Sequence, residues 1–203
     1  MRIGVLGGTF DPVHMAHVIL AEEVRVRLEL AEVVFIPTGE PWMKAGMPLS
    51  SPDHRLNMVR LAISSNPFFR ISSVEIDRPG PSYTVETLEA IITEYGEEVE
   101  IFFIQGADTL LEFHRWKKPD RILELAKLVI MNRPGFKQDD RALKGNLSKD
   151  ALGRIVKLEG PDIEISARDI RRRVAEGRSI RYRVCDDVID YITHHELYID
   201  GSK

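Results

Sequence analysis

The chain has 203 residues, 43% of them hydrophobic and 30% charged, with a formal net charge of −4 at pH 7. That composition suits one domain with a sizeable core and a charged surface. It leaves no run near the roughly 18 apolar residues a bilayer span needs, so no membrane association is expected. It also argues against general nucleic-acid binding, which usually shows a basic excess. The lone cysteine, Cys185, allows no intramolecular disulfide and no thiolate cluster for zinc or iron–sulfur. The opening "MRIGVLGG" reads as a core strand, because a signal peptide would need a longer apolar region and a small-residue cleavage site. A cytoplasmic protein is expected. Charge is uneven, with seven arginines between 168 and 183. A solvated helix face accounts for most of them, yet in an acidic chain such a cluster is also where a compact anion can sit.

In chain order, "RIGVLGG" (2–8) is a short apolar run ended by glycine, which predicts a buried strand. Asp11 and Pro12 then look like a helix start, with the helix running from about Val13 to Leu30. "EVVFIP" (32–37) is a second strand, stopped by proline. The loop "TGEPWMKAGMPLS" (38–50) leads to a helix opened by Ser51 and Pro52. "FRISSVEI" (69–76) predicts a third strand and "RPGPS" (78–82) a loop. A helix follows from about Thr84 to Tyr95, ended by Gly96. "VEIFFIQ" (99–105) and "KLVIMN" (127–132) are further buried strands separated by helical segments. Residues 135–162 are the most polar stretch and read as a surface excursion within the same domain.

Strand and helix alternate throughout, and parallel strands need crossover connections. The prediction is therefore an α/β fold: a doubly wound, mainly parallel sheet with helices on both faces. It is read as one domain over 1–203, helical from about 166. Ligands on such sheets bind at the carboxyl ends of the strands, at the topological switch point. Chemistry is expected in the loops 7–17, 37–50, 77–84, 105–116 and 132–136.

The glycines do not spell a dinucleotide fingerprint, since Leu6 and Thr9 fall where G-x-G-x-x-G needs glycine. A P-loop is excluded because no Gly-Lys dipeptide occurs. Glycines between a first strand and a first helix still let backbone N–H groups approach phosphate. In "GGTFDPVHMAH" (7–17), His14 and His17 are three apart, so both project from one face of the first helical turn. There they meet the positive end of the helix dipole, as a pair of phosphate donors would. A protein-held metal is not expected, because H-E-x-x-H and a third ligand are lacking.

"GGTFDPVHMAH" resembles the H-x-G-H signature of the nucleotidyltransferase superfamily, and "ISARDIR" (165–171) resembles its second signature, I-S-S-T-x-I-R. "PTGEPWMK" (37–44) is similar to a P-x-x-x-P-P-H-K loop, and "RPGPSYTVETL" (78–88) to R-x-G-P-S-Y-T-x-D-T-L. "FIQGADTLLEFHRW" (103–116) is similar to a G-A-D…W stretch, and "NRPG" (132–135) also fits. Over nearly its whole length the chain resembles the bacterial nicotinate mononucleotide adenylyltransferases. Departures from the motifs include Ala16 for glycine, Arg168 for threonine, Trp42 and Met43 for proline and histidine, and Glu86 for aspartate.

The resemblance implies transfer of the adenylyl group of ATP, with Mg2+, to nicotinate mononucleotide, releasing pyrophosphate. It implies that His14, His17, Lys44 and Arg171 act on phosphate, with His17 nearest the α-phosphate. Gly7, Gly8, Thr9, Phe10, Gly106, Asp108, Arg133, Ile165 and Ser166 would complete the ATP side, where Ser166 is placed to cap the late helix. Lys44, Ser82, Tyr83, Thr84 and Trp116 would hold the mononucleotide. Trp116 would stack on the pyridine ring, and the Tyr83 and Thr84 N–H groups would meet the nicotinate carboxylate. Packing roles for Trp116 and Trp42, and helix capping by Asp108, stay open. His54, His114, His194 and His195 are read as surface or structural. The rival readings are a phosphopantetheine adenylyltransferase or another nucleotidyltransferase of the superfamily, and a nucleotide-binding regulatory module without turnover. Homo-oligomerisation is left open.

Overall fold

The computed structural model describes residues 1–44, 46–106, 112–132 and 149–199. Within them the apolar runs form β1 (Arg2–Gly8), β2 (Glu32–Pro37), β3 (Phe69–Ile71), β4 (Glu100–Gly106), β5 (Ala126–Asn132) and β6 (Ile155–Glu159). The strands pair in the order β3-β2-β1-β4-β5-β6, every pair parallel. The helices are α1 (Met15–Arg27), α2 (Pro52–Ile63), α3 (Thr84–Tyr95), α4 (Pro119–Leu125), α5 (Lys149–Leu152), α6 (Ala167–Ala175) and α7 (Asp186–His194).

Side chains alternate across a strand, so each strand feeds two cores. Val33, Phe35, Phe102 and Ile104 face one layer with Val24, Met58, Ile170 and Val188. Val34, Ile36, Ile101 and Phe103 face the other with Leu88, Ile91, Ile122 and Leu123. Helices α1, α2, α6 and α7 thus cover one face, and α3 and α4 the other. Each buried Phe, Leu, Ile or Val contributes ~1.5–3 kcal/mol relative to exposure. The expected doubly wound parallel sheet forms.

Several boundaries differ from expectation for local reasons. Helix α1 starts at Met15 with His14 as its extended N-cap, and Pro12 precedes it behind a cis Asp11–Pro12 bond. The same helix stops at Arg27, because Glu29 adopts a left-handed conformation and the Leu30 N–H turns back to Arg25 O. Strand β3 stops at Ile71, since the chain turns where the Ile76 and Asp77 N–H groups both donate to Ser73 O. Part of the stretch read as a surface excursion is β6, an edge strand along β5. Lys157 and Glu159 interrupt its apolar pattern, as charges on edge strands commonly do.

Strands β2 and β3 lie on one side of β1, and β4 to β6 on the other. The crossovers therefore leave β1 in opposite directions and open a crevice above the carboxyl ends of β1 and β4. Gly7, Gly8, Gln105 and Gly106 end those two strands.

Candidate active site

The first wall of the crevice is the loop leaving β1. A Cβ on Gly8 would come within 2.9 Å of the Phe10 ring, so the loop can fold this closely only with glycine there. Phe10 is buried with φ +49° and packs against Phe35 at 6.0 Å between ring centroids. The Thr38 N–H donates to Gly8 O at 2.9 Å, tying this loop to the one after β2.

The loop delivers His14 and His17 together. Their rings stack at 3.7 Å with 23° between planes, and the Phe10 ring sits edge-on to His17 at 5.0 Å. The His14 backbone N–H donates to His17 Nδ1 at 3.2 Å. A backbone N–H can only donate, so Nδ1 is the acceptor and the proton of a neutral His17 sits on Nε2. His14 is 7% exposed, and burial pushes its pKa down to about 4. Its Nδ1 is buried with no hydrogen-bond partner among the described residues.

That shift carries a pH dependence. The unfolded chain takes up a proton at His14 near pH 6.5, whereas the folded chain does so only near 4. Below 6.5 the unfolded state therefore binds more protons, and folding stability falls with pH. The ligand-free protein is expected to lose about 2–3 kcal/mol from this group by pH 4.5. Comparing denaturant unfolding at pH 7 and 4.5 for wild type and His14→Asn measures it. An equal acid loss in both proteins would show that His14 is not the group responsible.

Helix α6 enters from the other end of the chain. The Ser166 hydroxyl accepts the Asp169 N–H at 3.2 Å, the expected cap. One turn on, Arg171 Nη1 donates to Asp11 O at 2.6 Å, which fastens α6 to the loop that carries the histidines. Ile165 packs against the core beneath, while Arg168 is exposed. Asp108 and Arg133 lie outside the described residues, as does the side chain of Lys44, which ends a short 3-10 turn, Trp42–Lys44.

A cavity of about 260 Å³ opens where the β1 loop meets α3. Gly8, Thr9, Trp42, Ser82, Thr84 and Trp116 are among its lining residues. Ser82 is a structural tie as well as a wall. Its hydroxyl accepts the Gly39 and Glu40 N–H groups at 3.1 and 3.3 Å, and its own N–H donates to Glu40 O. Tyr83 is the N-cap of α3, so the N–H of Thr84 stands in the first turn, where no intrahelical acceptor exists. The Tyr83 ring is not in the cavity wall; Lys117 Nζ lies 4.0 Å from its centroid. Trp116 both packs and lines the cavity, at 5.9 Å from Phe103 and 5.5 Å from Phe113.

Three buried polar residues beside these walls, Arg55, Asp11 and Glu75, were not singled out for such roles from sequence. Arg55 on α2 gives Nε to Ser50 O, Nη1 to Thr9 O and Thr38 O, and Nη2 to Gly39 O, at 2.6–3.1 Å. Burial lowers its pKa, and the nearby Asp11, Tyr198 and Glu75 oppose that. Asp11, read only as a helix start, accepts the Ser50 N–H and the Tyr198 hydroxyl on its two carboxylate oxygens. Glu75 is buried in the cavity wall and accepts the Thr87 hydroxyl at 2.7 Å, its pKa raised by burial. Its backbone carbonyl leaves no room at Gly39, where a Cβ would approach to 2.1 Å. His54 Nδ1 lies 3.0 Å from the Tyr191 hydroxyl and its ring 5.1 Å from that of His195, in the contact between α2 and α7.

The arrangement offers hydrogen-bond donors on one side and an aromatic-walled pocket on the other, joined through Gly8 and Thr9. Residues 5–173 match the model of the cytidylyltransferase-like family. A "probable nicotinate-nucleotide adenylyltransferase" of Roseiflexus sp. (strain RS-1) is 49% identical over 97% of both chains. One of the same description from Thermomicrobium roseum is 45% identical over 97% of this chain and 91% of its own. Among solved structures, Plasmodium falciparum nicotinic acid mononucleotide adenylyltransferase complexed with NaAD shares the fold, with a TM-score of 0.79, 20% identity and 97% coverage of both chains. The chain belongs to the nicotinate-nucleotide adenylyltransferases, within the cytidylyltransferase-like family.

Proposed function

We propose that the chain transfers the adenylyl group of ATP to nicotinate mononucleotide, giving nicotinate adenine dinucleotide and pyrophosphate, a late step of NAD biosynthesis. The observation that carries this reading is the continuity of the cavity from the Gly8–Thr9 loop to Trp116 and Thr84. A phosphate held at the loop and a heterocycle held at the tryptophan would share one space. A phosphate oxygen of the mononucleotide attacks the α-phosphorus of ATP in line; the bond from that phosphorus to the β-bridging oxygen breaks, and pyrophosphate leaves. No protein nucleophile is needed, so the work is positioning, which can supply ~7–11 kcal/mol, and stabilisation of negative charge.

In this reading Gly7, Gly8, Thr9, Phe10, Gly106, Asp108, Arg133, Ile165 and Ser166 shape the ATP side. His14, His17, Lys44 and Arg171 meet its phosphates. Ser82, Tyr83, Thr84 and Trp116 form the acceptor side, Ser82 and Tyr83 through backbone placement. The donors facing the phosphates are cationic or neutral. Among the described residues no group of three His, Cys, Asp or Glu side chains could hold a metal ion. A Mg2+ carried in with ATP would neutralise phosphate charge there. We take the chain to work as one domain over 1–203, with the part from about 166 supplying Arg171. No helix among the described residues is long and apolar enough to cross a membrane, and we place the reaction in the cytoplasm, where both nucleotides are found.

The test is pyrophosphate release with ATP and Mg2+, comparing nicotinate mononucleotide, its amide and phosphopantetheine as acceptors. Turnover with the acid alone supports the reading together with the carboxylate site at Thr84. Comparable turnover with the amide removes that carboxylate argument, and turnover with phosphopantetheine alone moves the chain to another acceptor class. Silence with all three favours a binding module. Trp116→Ala is expected to raise KM for the mononucleotide roughly 5–10-fold, the value of one aromatic stack, with KM for ATP little changed. An unchanged acceptor KM would leave Trp116 as packing alone.

A further inference from the structure

Asp11, through its buried carboxylate and its backbone carbonyl, joins four segments that are far apart in sequence. Its Oδ1 accepts the Tyr198 hydroxyl at 2.6 Å, and its Oδ2 accepts the Ser50 N–H at 3.2 Å. Its backbone carbonyl accepts Arg171 Nη1 at 2.6 Å. Asp11 is 2% exposed and Tyr198 4%, and the Tyr198 hydroxyl also touches Met58 Sδ at 3.9 Å. Three residues after Asp11, His14 caps α1, and the Met15 N–H is held by Arg183 O at 2.8 Å. The loop carrying the histidines is thus braced from behind by residues that follow α6.

We infer that Tyr198 is a positioning residue for the ATP side, acting through Asp11 on the orientation of Arg171 and of the 9–14 loop. The inference rests on the nucleotide-binding reading above. The hydroxyl is well suited to this work. Burial beside the Asp11 carboxylate raises the phenol's pKa, so it remains a donor at any working pH. A hydrogen bond to a charged group in a dry site is strong and directional. It constrains rotation of the Asp11 side chain about its Cα–Cβ bond. The same residue's carbonyl sets where the Arg171 guanidinium stands. Met58, Ser50 and Arg171, the residues that Tyr198 and Asp11 touch here, do not line the cavity that Ser82, Thr84 and Trp116 help form. The effect should therefore fall on ATP and spare the acceptor, a split that loss of general stability would not produce.

The experiment is titration calorimetry of α,β-methylene ATP with Mg2+ into the wild-type chain, Tyr198→Phe and Asp11→Asn, with KM for both substrates and melting temperatures. Tyr198→Phe keeps the ring and its packing. It is expected to weaken the analogue's Kd about tenfold, as loss of one hydrogen bond to a charged group does, with the acceptor KM within about twofold. The double variant should lose less than the sum of the two single losses, since both changes act on the one hydrogen bond. An unchanged Kd in folded Tyr198→Phe, equal losses toward both substrates, or independent effects in the double variant would overturn the inference. Should Tyr198→Phe not fold, an unchanged Kd in Asp11→Asn would do the same. A wild-type chain that does not bind the analogue refutes the nucleotide-binding reading itself, whereas wild-type binding with unaffected variants refutes only the role of Tyr198.

Discussion

His17→Ala is expected to lower kcat by about 10²–10³ while leaving the protein folded, the loss typical of one preorganised donor to developing charge, ~2.7–4 kcal/mol. The geometry argues for a preorganised donor. The His14 N–H donates to His17 Nδ1, so in the neutral ring Nε2 carries the proton and is the donor. The ring is held on one side by His14 at 3.7 Å and met edge-on by Phe10 at 5.0 Å, which restricts the rotations that would otherwise have to be frozen at the transition state. Alanine removes the donor and leaves the backbone of α1 intact. The His14 N–H loses its acceptor, but it lies at a helix start, where water can replace a side chain, so the cost in stability should stay near 1 kcal/mol. The measurement is pyrophosphate release at saturating ATP and nicotinate mononucleotide, with a melting curve on the same preparation. A folded His17→Ala protein turning over at near the wild-type rate would exclude His17 from charge stabilisation.

What sequence reasoning reached and what it missed divide by range. The strand ending in Gly7 and Gly8, the pairing of His14 with His17 and the cap at Ser166 are properties of at most a dozen consecutive residues. Local rules are sufficient to place them. The alternation that builds a doubly wound sheet is likewise local, repeated along the chain. Boundaries slipped where an uncommon residue did a common job. Histidine is not a usual N-cap, so the start of α1 was drawn at Val13, and glutamate rarely takes the left-handed position that ends the same helix at Arg27. Strand β6 was hidden by its charges. The brace around Asp11 and Arg55 was missed for another reason. Its contacts span 16 to 187 positions apart from one near link, and a lone arginine on an amphipathic helix looks solvated until the helix is packed. Arg55 shares the buried face of α2 with Met58, Val59 and Ile63, and that placement was the one signal available.

The second large effect is expected at that arginine. Arg55→Ala should destabilise the fold by about 3–5 kcal/mol, within the range for removing one partner of a buried charged network. Arg55 is 1% exposed, and its guanidinium serves the carbonyls of Ser50, Thr9, Thr38 and Gly39. Alanine would leave these acceptors short of donors, and each buried unsatisfied group costs about 1–3 kcal/mol before water enters. It also removes a cation that interacts electrostatically with the buried Asp11 and opens a void, since Arg55 is the largest of the fully buried side chains among the described residues. For a chain of this length the loss corresponds to a fall in Tm of roughly 10 °C. Arg55→Lys should recover little, because one ammonium cannot reach four carbonyls on two loops in the fork that guanidinium provides. The functional signature differs from that of Tyr198. Thr9 belongs to the loop proposed for ATP, whereas Thr38 and Gly39 belong to the loop that Ser82 ties to the acceptor cavity. Measured well below its melting temperature, Arg55→Ala should therefore raise both KM values together. A Tm within about 2 °C of wild type would show that water or relaxation satisfies those carbonyls. A loss confined to ATP would show that the Thr38–Gly39 loop holds its place without the arginine.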